Sequence, residues 1–117
     1  MRLTLTAVML LAACLPERPA RLVAGGDPEK GKAEIVAYGC GSCHTIPGIR
    51  EAHGLAGPSL AQFARRTYIA GEVPNRANDL VRWISSPRSI EPGTAMPDLG
   101  VNAAEARDIA AYLYTLR

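Results

Sequence analysis

Apolar side chains recur along this chain at helical spacing in four places, and nowhere in the convincing two-residue alternation of a half-buried strand. Gly31, Ile35 and Tyr38 share one face of the first segment. Asp27 and Pro28 open it as an N-cap and a first-turn proline, and it runs to about Tyr38. Ser59 can cap a short second helix with Leu60, Phe63 and Ala64 on its inner side. Asn78 can cap a third, where Leu80, Trp83 and Ile84 fall at i, i+3 and i+4 and which must stop before Pro87. Asn102 and Glu105 stand at capping-box spacing ahead of the longest stripe, formed by Ala106, Ile109, Ala110, Leu113 and Leu116. The pattern predicts an all-α domain with loops rich in proline and glycine.

One apolar run stands apart from these. Leu3 to Ala13 is an uncharged stretch of 11 residues behind Arg2, ending in small residues ahead of Cys14. That is the layout of a secretory signal. At ~1.5 Å per residue it covers roughly 16 Å, short of a ~30 Å hydrocarbon core. Leu11-Ala12-Ala13-Cys14 also resembles a bacterial lipobox, in which the cysteine takes lipid and becomes the new N-terminus. The expected organisation is a lipoprotein-type signal peptide over 1–13, lipidated Cys14 with a tether over 14–25, and one domain over 26–117. The prolines of the tether should keep it fairly extended. This layout places the domain in the bacterial cell envelope, facing the periplasm and anchored to a membrane through Cys14. One acyl chain of about fourteen carbons, at ~0.8 kcal/mol per buried CH₂, contributes on the order of 10 kcal/mol.

Size and charge narrow the possibilities. Without residues 1–13 the chain keeps 104 residues, enough for one small domain. The net charge is +2, or +1 once Arg2 is removed, which argues against an electrostatic nucleic-acid binder. Three cysteines would leave an odd thiol outside the cytoplasm, unless Cys14 takes lipid and the other two share another role.

That role is indicated by Cys40-Gly41-Ser42-Cys43-His44. A Cys-x-x-Cys-His run is the pattern of covalent c-type haem attachment. The spacing lets both sulfurs reach vinyl groups on one porphyrin edge and directs the next imidazole at the iron. The loop of about fifteen residues between Pro87 and Asn102 is long enough to suggest function. It carries Met96 in a polar, proline-pinned setting that does not suit core filler, and Met96 is the one methionine left after Met1 and Met9 depart with the signal. Met96 is therefore the candidate sixth ligand, against His53 in a glycine-rich loop and the helical Lys30 and Lys32.

Over nearly all of residues 26–117 the chain resembles the class I cytochromes c. Residues 26–32 look like the family's opening helix, with Gly31 where a glycine lets the C-terminal helix cross closely, against Tyr112 and Leu113. Cys40, Cys43 and His44 match the haem motif, and Gly57-Pro58-Ser59-Leu60 matches the family's Gly-Pro-x-Leu. The resemblance implies that the Pro58 carbonyl accepts a hydrogen bond from His44 and orients it. It also implies that Arg65 approaches a haem propionate, that Trp83 packs near the Met–iron bond, and that residues 92–96 form the distal-ligand loop. Residues 65–67, 71–75 and 79–84 are similar to the cytochrome domain fused to subunit II of some haem–copper oxidases. No oxidase scaffold accompanies them here, and basic groups are mainly Arg50, Arg65, Arg66, Arg76, Arg82 and Arg88 rather than a lysine ring.

The expected protein is a monomeric, non-enzymatic one-electron carrier with one covalent haem c. Its implied partners are a donor such as a quinol-oxidising complex and an acceptor such as a haem–copper oxidase. A haem subunit of a larger periplasmic dehydrogenase or reductase is the alternative, and a haem sensor or enzyme would need a displaceable Met96. A thioredoxin-like dithiol at Cys40 and Cys43 lacks the βαβ surroundings it requires. A structural zinc site is short of suitably spaced ligands.

Overall fold

A computed structural model describes residues 20–117; the signal-like run, Cys14 and the tether as far as residue 19 lie outside the described residues. Four helices, α1 (Pro28–Ala37), α2 (Ala77–Ser85), α3 (Pro87–Ile90) and α4 (Ala103–Leu113), carry the architecture. Two 3₁₀ turns, Cys40–Ser42 and Phe63–Arg65, and a small antiparallel hairpin of β1 (Tyr68–Ile69) and β2 (Val73–Pro74) fill the connections. Among the described residues no helix is long and apolar enough to cross a membrane.

The N- and C-terminal helices cross, and both start on their expected caps. The Asp27 carboxylate accepts the backbone N–H groups of Glu29 and Lys30 at 2.9 and 3.2 Å, with Pro28 in the first turn. Such a cap stabilises a helix by about 1 kcal/mol. Asn102 and Glu105 form a complete capping box at the start of α4. Gly31 is the close-approach point, because a Cβ there would stand 1.9 Å from the Asp108 carbonyl oxygen. The crossing therefore falls at Asp108–Ile109, about one helical turn before the Tyr112 and Leu113 that the resemblance implied.

The core lies where α1 and α2 meet α4. Ala106 and Ala110 are completely buried, and their small side chains leave room for Ile35, Leu80 and Ile109. Leu80, Trp83 and Ile84 are all buried along α2, as their spacing predicts.

Four local expectations change. No α-helix follows Ser59: Gln62 adopts a left-handed φ of 55°, which breaks any helical run, and a 3₁₀ turn over Phe63–Arg65 follows it. Ser59 Oγ accepts only the Ala61 N–H, at 3.2 Å. The third helix begins at Ala77, so Asn78 lies inside it, and Arg76 occupies the cap position without a side-chain cap bond. Pro87 ends one helix but starts another, α3, which shortens the loop before Asn102. Leu116 lies beyond the end of α4, half-buried against the core.

Candidate cofactor site

The haem-motif residues occupy a tightly pinned turn. Gly39 takes a left-handed φ of 70°, and from there the chain coils into the first 3₁₀ turn. The backbone N–H groups of Cys43 and His44 both donate to the Cys40 carbonyl, at 3.3 and 3.0 Å. The Cys43 carbonyl in turn accepts the Gly57 N–H at 2.7 Å, and the Gly41 carbonyl accepts that of Gly54 at 3.0 Å. The following segment is thereby folded back over the motif. It also brings Pro58 to His44, whose Nδ1 lies 2.7 Å from the Pro58 carbonyl oxygen. A carbonyl can only accept, so this contact makes Nδ1 the protonated nitrogen and leaves Nε2 with its lone pair.

Beside this turn is a cavity of about 620 Å³, of the size range of cofactor pockets. Its walls include Ile35 from α1, Trp83 from α2, Ile109 and Leu113 from α4, and Tyr68 from β1. Cys40, Cys43, His44 and Pro58 line it, and so does Met96 from the loop after α3. That loop is held by its own polar groups: Thr94 N–H donates to the Glu91 carbonyl at 3.0 Å, and Met96 N–H donates to Thr94 Oγ1 at 3.2 Å. Met96 is half-buried against the core rather than enclosed in it. Cys40 is also half-buried, and burial pushes its thiol pKa up, while Cys43 is exposed.

Of the sequence-predicted site residues, the cavity unites six: Cys40, Cys43, His44, Pro58, Trp83 and Met96. Arg65 is exposed and is not among its lining residues. Its neighbour Arg66 is, and among the described residues it is the one lining residue with a formal charge. The 3₁₀ turn decides between the two. It buries Phe63, and Arg66 folds back so that its guanidinium lies 5.5 Å from the Phe63 ring centre and donates to the Ser59 carbonyl. Cys14 lies outside the described residues, and His53, Lys30 and Lys32 are exposed.

The sequence model of the family described as "Cytochrome c" matches residues 28–117. The chain belongs to the cytochrome c family. It is similar to cytochrome c oxidase subunit 2 of Alkalihalophilus pseudofirmus, 33% identical over 91 residues, which are 75% of this chain and 25% of that protein. Subunit 2 from Bacillus sp. strain PS3 is 33% identical over 73 residues, 60% of this chain and 20% of that protein. The Bacillus subtilis subunit 2 is 31% identical over 88 residues, 74% of this chain and 25% of that protein. The cytochrome thus spans about a fifth to a quarter of the length of these relatives. The fold is that of the family, and membership makes the chain a haem-carrying electron-transfer protein.

The cavity of this cytochrome fits that group. Apolar walls suit a porphyrin, two thiols stand on the attachment turn, and an imidazole nitrogen and a thioether sulfur are the donors iron takes in this family. One contributor was not evident from sequence: Arg66, whose signal was hidden in an arginine pair. Gly57, marked by the Gly-Pro-x-Leu match, makes space for the His44 ring because it has no side chain.

Proposed function

We propose that this cytochrome holds one haem, bonded through Cys40 and Cys43 with His44 and Met96 on its iron, and passes single electrons between respiratory partners of the cell envelope. The observation that carries the reading is the convergence on one apolar cavity of His44, from the motif turn, and Met96, from a separate loop. Haem bound there supplies reversible one-electron chemistry, and a thioether ligand favours the reduced state. The residues of the chain do the rest. Pro58 holds the His44 ring with Nε2 as its available donor. Thr94 and Glu91 stiffen the Met96 loop, while Ile35, Trp83 and Leu113 keep water from the cavity. With His44 and Met96 both holding the iron, no position on it would be left for a substrate, and the protein would carry electrons without a reaction of its own. Arg66 is the side chain placed to meet the carboxylates of the cofactor, the role the resemblance assigned to Arg65.

The relatives named as cytochrome c oxidase subunits favour a terminal oxidase as acceptor. The domain delivers electrons as a separate carrier, and a haem subunit held in a larger respiratory complex is the alternative. Lipid on Cys14, after removal of residues 1–13, would keep the domain at a membrane, facing the periplasm.

Absorption spectra of the haem-loaded protein test this reading. Sharp low-spin bands in both oxidation states, unmoved by carbon monoxide, are the expected result. Met96→Ala should convert the spectrum to one that binds carbon monoxide promptly. Prompt binding by the unsubstituted protein would point to an open iron, and with it to a sensor or enzyme.

A further inference from the structure

The segment ahead of α1 does not leave the domain as a loose tether. Arg21 turns inward and its guanidinium makes three contacts. Nη1 donates to the carbonyl oxygen of Asn75, Nη2 donates to that of Arg66 at 3.3 Å, and Cζ lies 5.6 Å from the centre of the Tyr114 ring. Its targets are themselves firmly placed. Asn75 is 6% exposed, and its Nδ2 donates to the carbonyls of Phe63 and Arg66 at 3.2 and 3.1 Å. Tyr114 is 3% exposed, and its hydroxyl donates to Asn75 Oδ1 at 3.0 Å. A second anchor follows on the same segment: Val23 packs against the core while Leu22 between them is 83% exposed. The Val23 carbonyl accepts the Gly26 N–H at 3.0 Å, and Gly26 lies so close to α4 that a Cβ would be 2.6 Å from the Arg107 carbonyl oxygen.

We infer that Arg21 is a clamp that makes residues 20–26 an integral strap of the cofactor domain and secures the Arg66 wall of the cavity. The Arg66 carbonyl is where the two meet, since it accepts both from Arg21 and from Asn75. An arginine suits this position because its planar fork can serve two carbonyls while its face lies on an aromatic ring, which a lysine cannot do. The clamp has a consequence for reach that rests on the lipid reading of Cys14, although the clamp itself does not. At roughly 3.6 Å per residue, free chain from Cys14 to Arg21 would span at most about 25 Å, against about 43 Å if the chain were free as far as Gly26. The domain would then work close to its membrane, on a partner embedded in the same surface.

Hydrogen exchange of the haem-loaded full chain, read by mass spectrometry, tests the clamp directly. In the unsubstituted protein the Gly26 amide, which donates to the Val23 carbonyl, should be protected. Arg21→Ala should speed exchange at least tenfold at two places separated in sequence, Gly26 and residues 63–67, with α1 and α4 unchanged. Arg21→Lys should fall between the two. Thermolysin supplies a second readout, since Leu22 is exposed and cleavage beside it should accelerate by a similar factor in Arg21→Ala. Free exchange of the Gly26 amide in the unsubstituted protein would overturn the clamp. So would an Arg21→Ala effect confined to Gly26, because the link to the Arg66 wall would then be missing. Neither outcome depends on whether Cys14 carries lipid, which mass measurement of the membrane-extracted protein decides separately.

Discussion

Gly57 lies against the ring of His44, where a Cβ would come within 2.5 Å of Cε1 and 2.8 Å of Nδ1. The adjacent Pro58 carbonyl is 2.7 Å from the same Nδ1, so one dipeptide both clears room for the imidazole and sets its orientation. An alanine at 57 cannot be accommodated unless the ring or the backbone moves. Either movement stretches the Pro58 bond.

Gly57→Ala should therefore loosen His44 as a ligand while leaving the helices folded. Losing a hydrogen-bonded support of a metal-binding histidine typically costs about 10–100-fold in metal affinity. Denaturant titration of the haem-loaded variant, followed by absorbance of the imidazole–iron complex, should show His44 displaced from the metal at a lower denaturant concentration. Unchanged displacement would mean the ring tolerates the added methyl.

The helix crossing makes a second demand on glycine. At 1.9 Å, the distance from a Cβ on residue 31 to the Asp108 carbonyl oxygen is far inside van der Waals contact, and Ile109 N would be only 2.8 Å away. Both are backbone atoms and cannot rotate aside. Gly31→Ala should force α1 and α4 apart and cost at least about 3 kcal/mol, the upper end of ordinary overpacking. Denaturant unfolding of the haem-loaded protein should show the loss as a lower midpoint. Gly39→Ala is the instructive contrast: nothing stands within 4 Å of its Cβ position, so its effect comes from the left-handed φ of 70° alone and should be smaller.

The same crossing carries a pH dependence. Glu34 on α1 is half-buried, and that burial, followed by the Asp108 and Glu105 carboxylates of α4, raises its pKa, with Lys30 opposing. A raised carboxylate pKa means the folded state binds the proton more tightly than the unfolded chain. The stability it contributes is complete below the ordinary glutamate value of about 4.3 and is lost as pH rises through the raised value. Glu105 works in the other direction. The Tyr38 hydroxyl and then the Asn102 N–H lower its pKa, so its contribution is present above the ordinary value and is lost as pH falls through the lowered one. Unfolding midpoints measured from mildly acidic to neutral pH should decline, and Glu34→Gln should flatten that decline. A slope unchanged in Glu34→Gln would assign it elsewhere.

Much of this molecule was legible in local patterns. Asp27 with Pro28, and Asn102 with Glu105, announce the starts of α1 and α4, because a cap is an interaction between residues two or three apart. Leu80, Trp83 and Ile84 reveal the buried face of α2 for the same reason of short range. Ser59 misleads because its capping chemistry is real but the left-handed turn at Gln62 interrupts the helix it would start. The Arg65-Arg66 pair was unreadable in one dimension. Which arginine reaches the cavity depends on burying Phe63, and Phe63 is buried partly against Tyr114, 6.2 Å away between ring centres.

By itself, then, the order of residues determined α1, α2 and α4, the spacing of two thiols and an imidazole, and the presence of one methionine in a polar, proline-pinned loop. These are matters of neighbouring residues, and short-range geometry is nearly independent of the rest of the chain. Only the tertiary structure decided that α1 meets α4 at Asp108, that Arg66 rather than Arg65 lines the cavity, and that Arg21 closes onto Asn75. Each of those joins groups far apart in sequence, and such contacts exist only once a shared core has brought them together.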